Sequence, residues 1–305
     1  MARRASDLTA GRADGSAPLA NALTVDLEEH FQVSGFEDVV SREDWDRHPS
    51  RVSDNTLRLL DVFGRHDARA TFFVLGWVAE RHPALVRRIA DAGHEIACHG
   101  YSHRLIYTQR PDDFRDEMVR ARRILQDASS QAVIGHRAAS FSITRRNLWA
   151  LDVLAEAGFT YDSSIFPVVH DRYGVPGAPR GFYRVRTPDG SLLDEAPPST
   201  VAIAGLVLPV AGGGYLRLYP LSVTRWAIRR LNARDGLPAV VYLHPWEVDP
   251  EQPRIDGVPL LRRFRHYVNL SKTLGRLEAL LAGHPFDRLD AVLAASGPLP
   301  LRSVA

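Results

Sequence analysis

Apolar residues recur along the chain in short runs that break into polar clusters. ATFFVL (Ala70 to Leu75), EIAC (Glu95 to Cys98) and AVVYL (Ala239 to Leu243) have the length and the apolar content of buried strands. NALTVD (Asn21 to Asp26) and Ala132 to Gly135 read as shorter ones. Between them the spacing changes to helical period. Leu57, Leu59, Leu60 and Phe63 fall on one face of a helix that Ser53 can cap and that runs to about His66. Further helices are expected from Pro83 to Ala92, with Gly93 beyond the end, from Asp112 to Gln126, from Thr144 to Glu156 before Gly158, and from Ser222 to Leu231.

Strands alternating with helices of this length indicate β/α units around a parallel sheet. The alternation lapses between Pro167 and Pro220, a stretch rich in Pro and Gly in which TPDG (Thr187 to Gly190) predicts a hairpin turn. That excursion is expected to shape a binding groove. The domain reading is a disordered leader over residues 1–20 and one domain over 21–300. Within it lie the insertion at about 167–220 and a C-terminal extension from about 250.

Composition adds exclusions. At 305 residues, 45% hydrophobic and 24% charged, the chain can bury a full core, which rules out disorder or a coiled coil as its main organisation. The single cysteine, Cys98, excludes an internal disulfide and a Cys-based zinc cluster, so any metal must be held by His and carboxylates. Lys272 is the only lysine, yet acidic residues are interspersed among the arginines and the net charge is +2, which does not suggest nucleic-acid binding. No stretch approaches the length of a transmembrane span. The leader has arginines but no apolar core of the signal-peptide kind, so the expected location is the cytoplasm.

Polar chemistry follows the end of nearly every expected strand: Asp26, Glu28 and Glu29, then His99 and His103, Arg137, Asp162 and His244. In α/β barrels and open sheets, catalytic groups gather at that edge. HGYSH (His99 to His103) offers two imidazoles four apart, with Gly100 allowing a tight turn. The same spacing occurs in ordinary surface or core histidine pairs. In DLEE (Asp26 to Glu29), carboxylates at alternate positions can face one side, one to ligate a metal and one to act as a base. They can equally be solvated loop acids. His244, in LHPWE, can serve as a general acid if a carboxylate keeps it protonated, or can be a hydrogen-bonded residue at the core edge.

Taken in order, TVDLEEHF, HGYSH, HRAASFS, YDSS and VVYLHPWE resemble the five motifs of the NodB-type polysaccharide deacetylases. The likeness runs from about Asn21 to about Ala295. It is nearest to the branch associated with exosortase and exopolysaccharide loci, which shares the first motif's form and the RHYVNLSKTLGRLEALL segment (Arg265 to Leu281). The resemblance implies a distorted (β/α)7-type barrel and metal-dependent removal of N-acetyl groups from an amino-sugar glycan, an exopolysaccharide or its precursor. It implies Asp26 as general base, positioned by Arg137, and His244 as general acid, tuned by Asp162. His99 and His103 are implied as ligands of Zn²⁺, or of Co²⁺ or Ni²⁺.

Two departures follow. Leu27 stands where the family has a second aspartate, which makes Glu28 the carboxylate-ligand candidate, with Glu29 as the alternative. Ala139 replaces a proline, which leaves the backbone N–H of Ser140 or Phe141 as the candidate oxyanion donor. Tyr101 and Trp246 can stack on sugar rings or simply pack. The rival readings are an amidohydrolase on a small non-sugar amide and a non-catalytic carbohydrate-binding protein on the same scaffold.

Overall fold

The structure, a computed structural model, describes residues 19–187, 189–210 and 212–304. The expected leader therefore lies outside the described residues, apart from Leu19 and Ala20. Five strands lead the fold: β1 (Asn21–Leu27), β2 (Thr71–Val74), β3 (Glu95–Cys98), β4 (Gly135–His136) and β5 (Tyr161–Asp162). They are followed by β6 (Tyr183–Arg186), β7 (Leu192–Glu195), β8 (Thr200–Ile203), β9 (Leu206–Pro209), β10 (Val240–Leu243), β11 (Phe286–Asp287) and β12 (Leu301–Arg302). The helices are α1 (Val52–Arg65), α2 (Gly76–Arg81), α3 (Pro83–Asp91), α4 (Pro111–Ser129), α5 (Trp149–Glu156), α6 (Gly213–Leu218), α7 (Leu221–Arg230), α8 (Leu260–Tyr267), α9 (Leu270–Leu281) and α10 (Leu289–Ala295). No helix among the described residues is long and apolar enough to cross a membrane.

The main sheet runs β10-β1-β2-β3-β4-β5-β7-β6-β12, with β11 also on β1, and every pairing except β6 with β7 is parallel. This is the expected α/β architecture. The residues after β7 bridge the gap toward β10: Ala196 donates to the Asp162 carbonyl (2.9 Å) and the Val240 N–H donates to Ser199 Oγ (2.7 Å). The sheet is thus an incomplete, distorted barrel.

Strand parity sorts the core. Leu23, Val25 and Leu27 point outward into the large core, against residues such as Val62, Val86 and Leu125 of the surrounding helices. Ala22 points inward, into a smaller cluster with Phe73, Ala97, Tyr161 and Val240. Leu289, Val292 and Leu293 of α10 belong to the same cluster, and the Leu289 N–H donates to Thr71 Oγ1 (2.8 Å). The C-terminal extension therefore fills one end of the barrel.

Several expectations change in detail. The TPDG hairpin forms between β6 and β7, but β7 pairs with β5 in the main sheet, so the first half of the Pro167–Pro220 segment is part of the barrel. Ser53 lies inside α1, whose N-cap position is Arg51. The helix expected from Thr144 begins at Trp149, because Asn147 Oδ1 accepts from the Thr144 N–H (2.8 Å) and hydroxyl (2.7 Å) and holds a turn instead. The strand expected at Ala132 to Gly135 pairs only at Gly135–His136.

Candidate active site

Inward parity carries β1 through Ala22 and Thr24 to Asp26, and the same alternation continues to Glu28. On β3 it leads from Ala97 to His99, and on β10 from Val240 through Tyr242 to His244. Chemistry thus accumulates at the C-terminal mouth of the barrel because each strand's inward series turns polar as it leaves the core. A cleft of about 210 Å³ there is lined by Asp26, Glu28, His99, His103, His244 and Trp246, among others.

Asp26 is fixed by Arg137, a fully buried guanidinium whose Nη1 donates to Asp26 Oδ1 (2.6 Å) and Thr24 Oγ1 (2.9 Å). Its other amino group donates to Ser163 Oγ (2.9 Å), and its carbon lies 4.1 Å from the Phe73 ring centroid. Such a planar fork, held from three sides, leaves Asp26 little rotational freedom. Arg137 and Asp26 are together as expected.

Glu28, His99 and His103 are all buried, and each offers one ligand atom within 4.8 Å of the others. His99 Nδ1 faces the Arg137 carbonyl at 2.8 Å. A carbonyl only accepts, so Nδ1 carries the proton and Nε2 presents a lone pair. His103 sits at φ 52°, after Gly100 at φ 82°, and the loop is tied down by Glu117, whose Oε1 accepts from the N–H groups of Tyr101 (2.9 Å) and Ser102 (3.1 Å). Ser140 (φ 50°) and Phe141 (φ 54°) also line the cleft, so three left-handed non-glycine residues, which are costly conformations, gather at one place. Burial alone would raise the Glu28 carboxyl, but His103 at 2.9 Å, with His244 and His99, holds it down to about 2. Burial pushes His99 down to about 4, toward the neutral form that a ligand needs.

Glu28 rather than Glu29 joins the histidines. Glu29 turns to the start of α1, where its carboxylate accepts from the N–H groups of Arg51 (3.0 Å) and Val52 (3.2 Å) and from the Ser50 hydroxyl. It does the capping that the sequence suggested for Ser53.

His244 Nε2 lies 3.7 Å from Glu28 Oε1 and 3.9 Å from Asp26 Oδ2, and its Nδ1 lies 3.7 Å from Glu247 Oε2. Burial opposes its charge, yet Glu247, Glu28 and Asp26 together lift it to about 9. Glu247 is itself buried and receives Arg217 Nε at 2.8 Å. Here the sequence expectation needs correction. Asp162 does not tune His244; its Oδ1 meets His136 Nδ1 at 2.7 Å and the Ser164 hydroxyl at 2.7 Å. The cause is register, because His136 and Asp162 are direct partners across β4 and β5, far along the sheet from β10. Glu247 and Arg217 were missed. Glu247 could have been found, since it stands three residues after His244 in the motif already singled out.

The two aromatic candidates separate. Trp246 lines the cleft, stacks on His244 (4.9 Å, 20°) and donates from Nε1 to Glu28 Oε1 (3.1 Å). Tyr101 is turned away, its hydroxyl donating to Glu80 Oε2 (2.6 Å) with Arg120 3.7 Å over its ring, so it packs and does not stack on a ligand in the cleft. The excursion contributes Arg172, which lines both the cleft and an adjoining groove of about 610 Å³.

A cleft of acids, imidazoles and a pinned aspartate at a barrel mouth is the candidate centre, and comparison with known proteins shows what the chain is similar to. Residues 42–161 match the family model described as polysaccharide deacetylase, and residues 163–294 match one described as a domain of unknown function, DUF3473. Over residues 42–161 the chain is similar to the polysaccharide deacetylase family. It is similar to a chitooligosaccharide deacetylase of Bradyrhizobium sp. (strain ANU 289), 37% identical over 33% of this chain and 43% of the relative. It is also similar to a peptidoglycan-N-acetylglucosamine deacetylase of Bacillus cereus, 38% identical over 25% of this chain and 28% of the relative. The matches thus span less than half of either relative. Among solved structures, one described as a polysaccharide deacetylase from Mycobacterium smegmatis superposes with a TM-score of 0.58 at 22% identity, covering 93% of this chain and 96% of that one. Puue allantoinase superposes with a TM-score of 0.59 at 17% identity, covering 97% and 99%. At these identities the structural likeness is one of fold.

Proposed function

We propose that the chain is a metal-dependent hydrolase that removes N-acetyl groups from an amino-sugar-containing glycan, an exopolysaccharide or its precursor. One observation carries the reading: a pinned carboxylate, a buried set of two imidazoles and one carboxylate, and a third imidazole, His244, with raised pKa converge in one cleft. The descriptions of the matched relatives support N-acetylated amino sugars as the substrate class. The large groove that continues from the cleft through Arg172 favours a chain-like substrate over a small amide.

Glu28, His99 and His103 fit a divalent first-row ion, because the carboxyl is held ionised, His99 is held neutral with its proton on Nδ1, and all three are buried. Zn²⁺ suits this donor set best, with Co²⁺ and Ni²⁺ as alternatives. When bound, such an ion polarises the amide carbonyl and makes water a nucleophile near neutral pH. Asp26, whose Oδ1 is held by Arg137, accepts the water proton as oxygen adds to the carbonyl carbon. The Phe141 N–H is committed to the Ala138 carbonyl (3.0 Å), so Ser140 supplies the backbone N–H for the developing oxyanion. His244 gives its proton to the amide nitrogen, the C–N bond breaks, and acetate and the free amine leave.

The test is acetate release from N-acetylated chito-oligosaccharides, lost in chelator and restored by added Zn²⁺. Asp26→Asn and His244→Ala should keep the metal and lower turnover by roughly 10²–10⁴-fold. Turnover of small linear or cyclic amides, with none of any N-acetylated glycan, would overturn the substrate class. A metal-free Asp26→Asn protein would overturn the base assignment.

A further inference from the structure

Helix α8 (Leu260–Tyr267, LLRRFRHY) has its amphipathicity reversed. At about 100° per residue, Leu260, Leu261 and Phe264 share one side of the helix. In a surface helix that side should face the core. Here those residues are 82%, 61% and 57% exposed, among the most exposed large apolar side chains of the protein. The inward side is instead polar and aromatic. His266 is buried, donates through Nε2 to Gln252 Oε1 (2.7 Å), and packs with Phe36 (4.6 Å between ring centroids).

Arginines flank the apolar strip. Arg262 pairs with Asp38. Arg263 and Arg265 are exposed, as is Arg254 nearby, and among the described residues none of these three has a carboxylate within ion-pair distance. A neighbouring loop lies beside Arg265. Arg265 is near enough to His170 and Tyr173 for its charge to act on both, and Val169, beside His170, is 86% exposed. Arg172, on the same loop, lines the cleft.

The inward face connects directly to the candidate site. His266 stacks on Trp246 (4.2 Å, 15°), and Trp246 stacks on His244. The exposed strip therefore lies one helix diameter from the cleft.

We propose that the outward face of α8, with the adjoining Val169 loop, docks on an anionic membrane surface. Leu260, Leu261 and Phe264 enter the boundary between headgroups and acyl chains, and Arg263 and Arg265 contact lipid phosphates. The chemistry favours lipid over a protein partner for two reasons. The apolar strip is narrow, three side chains on a two-turn helix, where a stable protein interface needs a broad patch. Its rim carries Arg263 and Arg265, which have no carboxylate within ion-pair distance among the described residues, the combination an interfacial helix uses for negatively charged headgroups. Docking there places the cleft beside the membrane, within reach of a glycan attached to lipid. This surface is independent of the chemistry proposed for the cleft.

Co-sedimentation of the full chain with vesicles tests the docking without using activity. Binding is expected to vesicles of phosphatidylcholine mixed with phosphatidylglycerol, to be weak with phosphatidylcholine alone, and to fall at high salt. Leu261→Ser with Phe264→Ser should weaken binding tenfold or more. Arg263→Gln with Arg265→Gln should weaken it roughly fivefold per arginine. All four side chains are exposed, so thermal melting should stay unchanged, and this confirms that the variants are folded. No binding to anionic vesicles, or binding that neither pair of substitutions alters, overturns the proposal. A dimer in solution that Leu261→Ser with Phe264→Ser dissociates, with no vesicle binding, would identify the occupant as a second copy and overturn it as well.

Discussion

Two adjacent glutamates, chemically alike, have different tasks because strand parity turns them opposite ways. Glu28 continues the inward series of β1 to the two histidines, and Glu29 turns back to the first N–H groups of α1. Glu28→Gln should therefore lose bound metal and turnover together, measured by elemental analysis and acetate release. Glu29→Gln should keep the metal and lose about 1–3 kcal/mol of stability, read from a denaturation curve. Parity made Asp26 and Glu28 legible in the sequence, since positions i and i+2 beyond a strand share a side. It could not identify which carboxylate serves His244, because that depends on which strands become neighbours. Removing Glu247 tests the corrected assignment. Glu247 is among the groups that hold His244 at about 9, so the variant's imidazole should release its proton at lower pH. An acid must be protonated to act, so the basic limb of the rate profile should move to lower pH, not higher. Glu247→Gln alone strands the buried Arg217 guanidinium, so the double variant with Arg217→Gln is the cleaner comparison. An unmoved basic limb in both would remove Glu247 from the acid's environment.

At the scale of elements, the barrel stores a second, purely structural carboxyl on β3. Glu95 is buried between Thr71, whose hydroxyl donates to it, and Tyr161, whose hydroxyl donates to Oε1 (2.9 Å). Burial, with the nearby Asp290 charge, raises it to about 8 against an ordinary value of 4.5. The folded state thus holds a proton that the unfolded chain releases at lower pH. Its contribution to stability is complete below about 4.5 and is lost as pH rises toward 8, at most about 1.4 kcal/mol per pH unit. Urea midpoints should fall across that window, and Glu95→Gln should flatten the slope. An equally steep slope in the variant would mean that another group controls it. Strand and helix centres were readable because their apolar period reflects burial directly. Boundaries were less so where a side chain competes with the backbone, as Asn147 does before α5 and Glu29 does before α1. The place of β7 beside β5 was not readable at all, because hairpin residues look the same whether they stand apart or complete a sheet.

The whole molecule does not divide where the family models meet. One model ends at residue 161 and the next begins at 163, yet the cleft takes Asp26, Glu28, His99 and His103 from one side of that boundary and His244 and Trp246 from the other. The sheet crosses it too. β1 pairs with β10 from Ala22↔Val240 to Val25↔Leu243, and β5 pairs with β7 at Tyr161↔Asp194 and Asp162↔Glu195. A fragment ending at Asp162 would expose both edges of a five-stranded parallel sheet, strands whose inward faces are apolar, and would lack α10 at the end of the barrel. Parallel strands with unpaired edges and an open core lose the burial that offsets their conformational entropy. The fragment should therefore show no cooperative urea transition and little amide-exchange protection in β1, while the intact chain melts in one step with β1 among its most protected strands. A sharp transition in the fragment, with β1 protected, would mean that the polysaccharide deacetylase segment folds alone. In that case residues 163–294 would be an added domain that merely lends His244 to the cleft, and the acid would have to be regarded as a contribution across a domain boundary.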